Sequence, residues 1–163
     1  MIDKKMEDAL NDQIKFEMDS AHIYLSMAAY FHDKSLDGMA QWMKVQAKEE
    51  LGHAMRIFEH INERGGRVEL KAIDQPQKDW KCALDAFEAA YSHERFVTGK
   101  INDLVKLAAD LSDNAASVFL QWFVTEQVEE EDSTSKVVET LKLIGDSSAG
   151  LVVFDAQLGS REG

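Results

Sequence analysis

Residues 49–54 read EELGHA and residues 126–131 read EQVEEE, and these two stretches decide how the chain folds. They are 77 residues apart, and the same shift relates two sets of three polar residues: Glu17, Glu50 and His53, then Glu94, Gln127 and Glu130. Each residue lies in a stretch of apolar residues at helical spacing. A carboxylate buried there is unfavourable unless an opposite charge, such as a metal cation, compensates it. The pattern therefore predicts a metal site with two-fold internal similarity.

Length and composition predict one all-α domain spanning residues 1–163, with a hydrophobic fraction of 45%. The start of the chain is too polar for a signal peptide, and no run approaches about 18 apolar residues, so we expect a cytoplasmic protein without a membrane partner. The net charge of −12 disfavours nucleic acid as a partner. The single cysteine, Cys82, excludes an intramolecular disulfide and a four-cysteine metal site, and we expect it to pack within the helices.

Apolar periodicity predicts four long helices. The first runs from about Glu7 to Asp33, the second from near residues 36–39 to a glycine cap at Gly65, and the others lie within about 84–108 and 113–144. Ser112 or Asp113 would cap the fourth helix. Residues 67–79 have no helical period, so they predict a long extended crossover between two antiparallel pairs. The result is an antiparallel four-helix bundle over about residues 7–144.

A short fifth helix is predicted over about residues 147–158. Its apolar residues are Leu151, Val152, Val153, Phe154 and Leu158. A segment this apolar at the end of a chain favours burial against another subunit.

Folding the bundle would bring the six polar residues to one depth. Glu17 and Glu94 lie midway along the first and third helices, and Glu50 with His53 and Gln127 with Glu130 form i, i+3 pairs on the others. This is the arrangement of di-iron carboxylate bundles. Oxygen ligands with one imidazole favour iron, manganese or zinc, and a bridging Glu50 could hold two ions. Iron is our inference from ligand type and redox use; the alternative is a set of solvated acidic faces.

Tyr24 lies two helical turns after Glu17 and faces the same way. Its phenol could supply an electron or a hydrogen bond to an oxygen species, or its hydroxyl could simply be tied to a carboxylate in the core. The residues alone leave both roles open.

The chain resembles the non-haem bacterial and archaeal ferritins over its whole length. Four stretches carry the resemblance: QWMK at 41–44, EELGHA at 49–54, ERGG at 63–66 and FVTEQVEE at 123–130. The resemblance implies a ferritin-like fold with a first iron site at Glu17, Glu50 and His53 and a second at Glu50, Glu94 and Glu130, with Gln127 close by. It also implies a third, more exposed site at Glu49, Glu126 and Glu129, and an electron or hydrogen-bond donor at Tyr24.

The activity implied by the resemblance is iron storage with ferroxidase chemistry. Ferrous iron would be oxidised by dioxygen or peroxide at the di-iron centre and stored as ferric oxyhydroxide inside a hollow homo-oligomer of 24 subunits, with the fifth helix at the four-fold axes. No haem is expected, because Leu51 stands where bacterioferritins carry a haem-binding methionine. Ser117 and Leu120 stand where many ferritins carry acidic pore residues, so the family pattern does not indicate the iron route.

Two other functions use the same residues. A small di-iron oxidase or oxygenase would act on an organic substrate held beside the metals. A structural helical protein would bind metal adventitiously through its acidic layer.

Overall fold

Five α-helices make up the computed structural model, which describes residues 1–162. They are α1 (Lys4–Asp33), α2 (Asp37–Glu63), α3 (Ala83–Asp110), α4 (Asn114–Ile144) and α5 (Ser148–Leu158). Helices α1 and α2 form one pair and α3 and α4 the other, α1 packs on α3, and α5 lies against α2. The predicted four-helix bundle with a short fifth helix is confirmed. Within the described residues, no helix is both long enough and apolar enough to cross a membrane.

The helix ends follow from local chemistry. Helix α1 begins at Lys4, three residues before the predicted start, because the Asp3 side chain accepts a hydrogen bond from the Lys5 backbone NH at 2.8 Å. Gly65 has φ of +70°, as the predicted glycine cap requires. At the start of α4, Asp113 is the cap, since its side chain accepts from the Ala116 NH at 3.0 Å.

Cys82 corrects one expectation. It is exposed and lies at the N-cap of α3 with an extended backbone, φ −162°, instead of packing between helices. The buried face of α3 begins one residue later at Ala83, so a residue before the first turn lies outside it. The prediction that Cys82 is a packing residue was wrong for this reason.

The crossover between α2 and α3 is extended, as predicted, and lies along α1. The buried Asn11 side chain donates to the Arg67 carbonyl at 3.0 Å and accepts from the Glu69 NH at 2.8 Å. Farther along, the Asp74 NH donates to Asp19 at 2.9 Å. Side chains of α1 thus supply the hydrogen bonds that a segment without secondary structure needs.

Two clusters of buried apolar side chains fill the two ends of the bundle. One contains Tyr24, Phe31 and Phe87, and the other contains Leu10 and Phe123. Between them lies a layer of six polar residues, each between 1% and 5% exposed. We call this the polar layer; its members are Glu17, Glu50, His53, Glu94, Gln127 and Glu130. The bundle therefore buries ionisable groups in the middle of an otherwise apolar core.

Helix α5 packs against the start of α2 and supplies a cap that α2 lacks. Leu36, at the N-cap of α2, provides no side-chain hydrogen bond, but Asp155 of α5 accepts from the NH groups of Gly38 at 3.1 Å and Met39 at 2.8 Å. The carboxylate satisfies unpaired helix donors and complements the helix dipole. Helix α5 is thereby fixed to the helix that carries Glu50 and His53.

The apolar surface of α5 is only partly covered within the chain. Phe154 and Leu158 are buried, whereas Val152 and Val153 are 65% and 70% exposed. Burial of the exposed valines against another subunit stays a prediction.

Replacing Gly38 by alanine tests the docking of α5. A Cβ atom at Gly38 would lie 1.7 Å from the Asp155 carbonyl oxygen, so α5 would have to move, and we expect a loss of about 2 kcal/mol in the free energy of unfolding. Gly52→Ala is the matched control in the same helix, because a Cβ there meets nothing within 4 Å. That substitution should stabilise the helix by about 0.5–1 kcal/mol. Guanidinium denaturation measures both, and equal effects of the two changes would contradict the close contact.

Candidate metal centre

The first three predicted ligands meet in the structure. Ligand atoms of Glu17, Glu50 and His53 all lie within 4.8 Å of one another. Nδ1 of His53 lies 3.3 Å from Glu50 Oε2 and 3.8 Å from Glu17 Oε2. Glu50 and His53 share a face because they are one turn apart on α2, and α1 packs on that face to bring Glu17 to them. The structure thus brings these three side chains together.

Glu94 lies on the other side of the polar layer, where its carboxylate is hydrogen-bonded within the protein. Oε1 accepts from the Tyr24 hydroxyl, and the Gln127 amide nitrogen lies 3.3 Å from Oε2. The same amide nitrogen lies 3.2 Å from the Thr98 hydroxyl. In this arrangement Tyr24 and Gln127 orient Glu94, and the Tyr24 hydroxyl is tied to a carboxylate.

Glu130 forms a second potential ligand group with His53 and Glu126, whose ligand atoms also lie within 4.8 Å of one another. Oε2 of Glu130 accepts from the Gln46 amide at 2.8 Å, and Glu126 Oε1 lies 3.8 Å from His53 Nε2. The imidazole of His53 thus lies between the two groups, with one ring nitrogen toward each.

The residues predicted for a third site are placed differently from one another. Glu126 is partly buried, with 26% of its side chain exposed, and belongs to the second group. Glu49 is about one-third exposed and pairs with Arg161 at 2.7 Å, and Glu129 is exposed. The structure therefore brings Glu126 toward the polar layer and leaves Glu49 and Glu129 outside both groups.

Burial sets the protonation of the acids in the layer. Burial, together with the charges of Glu94 and Glu17, raises the pKa of Glu50 well above its ordinary value. Burial and the charge of Glu130 raise the pKa of Glu94 to about 7. For Glu130, burial also raises the pKa, although the hydrogen bond from Gln46 opposes that rise. Without a cation, part of the acidic layer holds protons near neutral pH.

His53 supplies positive charge to the same layer. Burial lowers the pKa of His53, but the adjacent carboxylates of Glu17 and Glu50 outweigh that effect and raise it to about 11. The imidazolium therefore offsets negative charge on the neighbouring carboxylates.

Two buried carboxylate oxygens in the layer have no hydrogen-bond partner among residues 1–162. Glu17 Oε2 and Glu50 Oε1 are buried and accept no hydrogen bond from residues 1–162. A buried carboxylate oxygen needs a donor or a cation, and both atoms belong to the group that has histidine as its third member. The donor set of carboxylate oxygens and one imidazole fits Fe²⁺, Mn²⁺ or Zn²⁺.

Sequence reasoning missed the amides that orient the acids. The Gln13 amide donates to Glu17 Oε1 at 2.8 Å, as Gln46 does to Glu130. Gln13 lies four residues before Glu17 and Gln46 four before Glu50, so each falls on a buried stripe one turn from an acid. A glutamine at that spacing could have been used to predict an amide that hydrogen-bonds a buried acid. The contact of Arg161 with Glu49 spans 112 residues and had no local signal.

Comparison with known proteins agrees with this fold. Residues 7–144 match the model of the ferritin-like domain named Ferritin. The bacterial non-heme ferritin of Bacteroides fragilis (strain 638R) is 42% identical over 161 residues, covering 99% of this chain and 100% of the relative. That of Campylobacter jejuni is 40% identical over 155 residues, covering 95% and 93%.

Among solved structures, an open pore ferritin from the archaeon Archaeoglobus fulgidus superposes with a TM-score of 0.99. It is 48% identical, and the match covers 99% of this chain and 100% of that one. The resemblance to non-haem ferritins seen in the sequence is confirmed by these relatives, and the chain belongs to the ferritin family.

Proposed function

We propose that this protein stores iron and oxidises it at the polar layer, as a ferroxidase. The observation that carries the proposal is the group of Glu17, Glu50 and His53, where two buried carboxylate oxygens accept no hydrogen bond from residues 1–162. The names of the relatives support iron as the ion, since ferritins form the family to which the chain belongs.

Fe²⁺ is the substrate in this proposal, and the layer offers it two places. Glu17, Glu50 and His53 would hold one ion. Glu50, Glu94 and Glu130 would hold the other, with Gln127 beside it. Because Glu94 Oε2 now lies 3.3 Å from the Gln127 amide, binding there would exchange this contact for one with the metal. Glu50 would bridge the two ions.

Two irons acting together supply the electrons that the oxidant needs. Two Fe²⁺ ions give up two electrons, which reduce one dioxygen to hydrogen peroxide or one peroxide to water, with protons from the surroundings. Hard oxygen ligands favour the Fe³⁺ product. Tyr24 enters as a neutral phenol, because burial and the nearby carboxylates raise its pKa well above its ordinary value. In that form it can donate a hydrogen bond or an electron.

Storage needs a closed container, and we propose a homo-oligomeric shell, with 24 subunits as in the family pattern. The exposed Val152 and Val153 on α5 support a subunit contact at that helix. Ferric oxyhydroxide would accumulate inside. The proposed setting is the cytoplasm.

Anaerobic loading of the apoprotein with Fe²⁺, followed by air, tests the function. Ferric absorbance and particle size would be followed from two irons per subunit upward. We expect fast oxidation of the first two irons and then a soluble ferric mineral in a large particle. Fast oxidation with precipitation, or in a small particle, would instead support an oxidase. Slow oxidation at every ratio would support a structural protein.

Glu50→Gln tests the bridging ligand. The amide keeps the shape but cannot neutralise two cations, so the initial oxidation rate should fall about 100-fold or more. The metal-free variant should be more thermostable than wild type, because it no longer buries a group whose charged form is disfavoured there. Glu59→Gln, an exposed change on the same helix, is the control. A Glu50→Gln protein that oxidises iron at the wild-type rate would exclude Glu50 as a ligand.

The pH dependence of stability tests the acidic layer. The pKa of Glu94 is raised from 4.5 to about 7 in the folded protein, so the folded state binds its proton more tightly than the unfolded state does. The stability of the apoprotein should therefore fall as pH rises from about 4.5 through 7, and the stabilisation by added Zn²⁺ should grow over the same range. Thermal midpoints with and without Zn²⁺ measure both effects. In Glu94→Gln the fall should be smaller, and an unchanged slope would contradict the assignment.

A further inference from the structure

The side chain of Arg161, which follows α5, contacts α2 next to the polar layer. Nη2 of Arg161 lies 2.7 Å from Glu49 Oε2, and the guanidinium lies 4.6 Å from the centre of the Trp42 ring. The Arg161 and Glu49 side chains are 25% and 37% exposed, so the pair is partly shielded from solvent. An ion pair and a cation–π contact together hold this arginine over α2.

The position of Arg161 is set by the docking of α5. The backbone NH of Arg161 donates to the Leu158 carbonyl at 3.3 Å, which continues the turn that ends α5. Gly159 and Gly38 lie close together, since a Cβ at Gly159 would come 3.0 Å from the Gly38 Cα. Asp155 caps α2 one turn before Gly159 and so fixes the end of α5 against α2. The Arg161 side chain therefore lies along the surface of α2.

The surface on which Arg161 lies is acidic. Glu49 directly precedes Glu50, and its charge acts on Glu130 of α4, which forms the second ligand group with His53 and Glu126. The positive charge of Arg161 also reaches Glu130, where it acts with His53 against the rise in pKa that burial causes. Nη1 of Arg161 is buried without a hydrogen-bond partner in residues 1–162, so the guanidinium is not fully satisfied where it lies.

We propose that Arg161 is a tethered cation that competes with a metal ion for Glu49. A third ion that used Glu49 as a ligand would first have to displace the guanidinium from the Glu49 carboxylate. Arg161 would therefore weaken third-ion binding relative to the two ions of the polar layer, so that the layer fills first. This inference rests on the proposed function, because it assigns an order of loading to the same site.

Titration of the apoprotein with Zn²⁺ tests the proposal. Zn²⁺ accepts the same oxygen and nitrogen ligands and is not oxidised. Calorimetry on the intact assembly should find two tight sites per subunit and one weaker site in the wild type. Arg161→Gln should tighten the third site about tenfold and leave the first two unchanged. Arg161→Lys keeps a tethered charge, so its third site should stay weak.

Two further variants separate competition from a general effect of charge. Lys44→Gln removes one positive charge from the exposed side of α2 and should leave the third site unchanged. In a Glu49→Gln background, Arg161→Gln should have no effect, because the carboxylate for which they compete is gone.

Several outcomes would overturn the proposal. They are an unchanged or weaker third site in Arg161→Gln, an equal gain from Lys44→Gln, or a gain that persists without Glu49. If the wild type itself binds no Zn²⁺ tightly, the proposed function fails and this inference fails with it. If the two tight sites are present and only the third is insensitive to Arg161, this inference alone fails.

Discussion

A layer of ionisable side chains crosses the middle of the core, and the rest of the fold is arranged to hold it there. Burying several carboxylates together is unfavourable, because each loses its hydration and repels the others. Without metal, protons on the acids and on His53 reduce this cost, as the raised pKa values of Glu50, Glu94 and His53 indicate. In the proposed function Fe²⁺ replaces those protons, and the layer is then more stable when occupied than when empty.

The two apolar clusters on either side of the layer supply the stability that the layer removes. Each cluster draws residues from all four long helices, so the helices cannot separate at the layer without opening both ends. Amides complete the support from within. Gln13 fixes Glu17, Gln46 fixes Glu130, and the Gln127 amide lies beside Glu94. The acids are thereby held in position before any ion arrives, which reduces the reorganisation that binding requires.

The parts of the structure that sequence reasoning reached are those with a periodic signal. Four helices, the glycine cap at Gly65 and the meeting of Glu17, Glu50 and His53 all follow from spacing along the chain. The parts it missed depend on contacts that no local pattern records. Asp155 caps a helix that begins more than 110 residues earlier, and Arg161 pairs with Glu49 over a similar separation. Cys82 was misassigned because one residue's position relative to a helix start decides whether it is covered.

The cap that Asp155 provides couples the docking of α5 to the stability of α2. When α5 leaves its place, the Gly38 and Met39 amides lose their acceptor, Phe154 and Leu158 lose their cover, and Glu49 loses Arg161. The loss of the cap and the loss of Arg161 both fall on α2, the helix that presents Glu50 and His53. Any contact that favours docked α5, including one with a neighbouring subunit, is therefore thermodynamically linked to the ordering of Glu50 and His53, the proposed metal ligands. Ordering of these two residues must favour docked α5 in return.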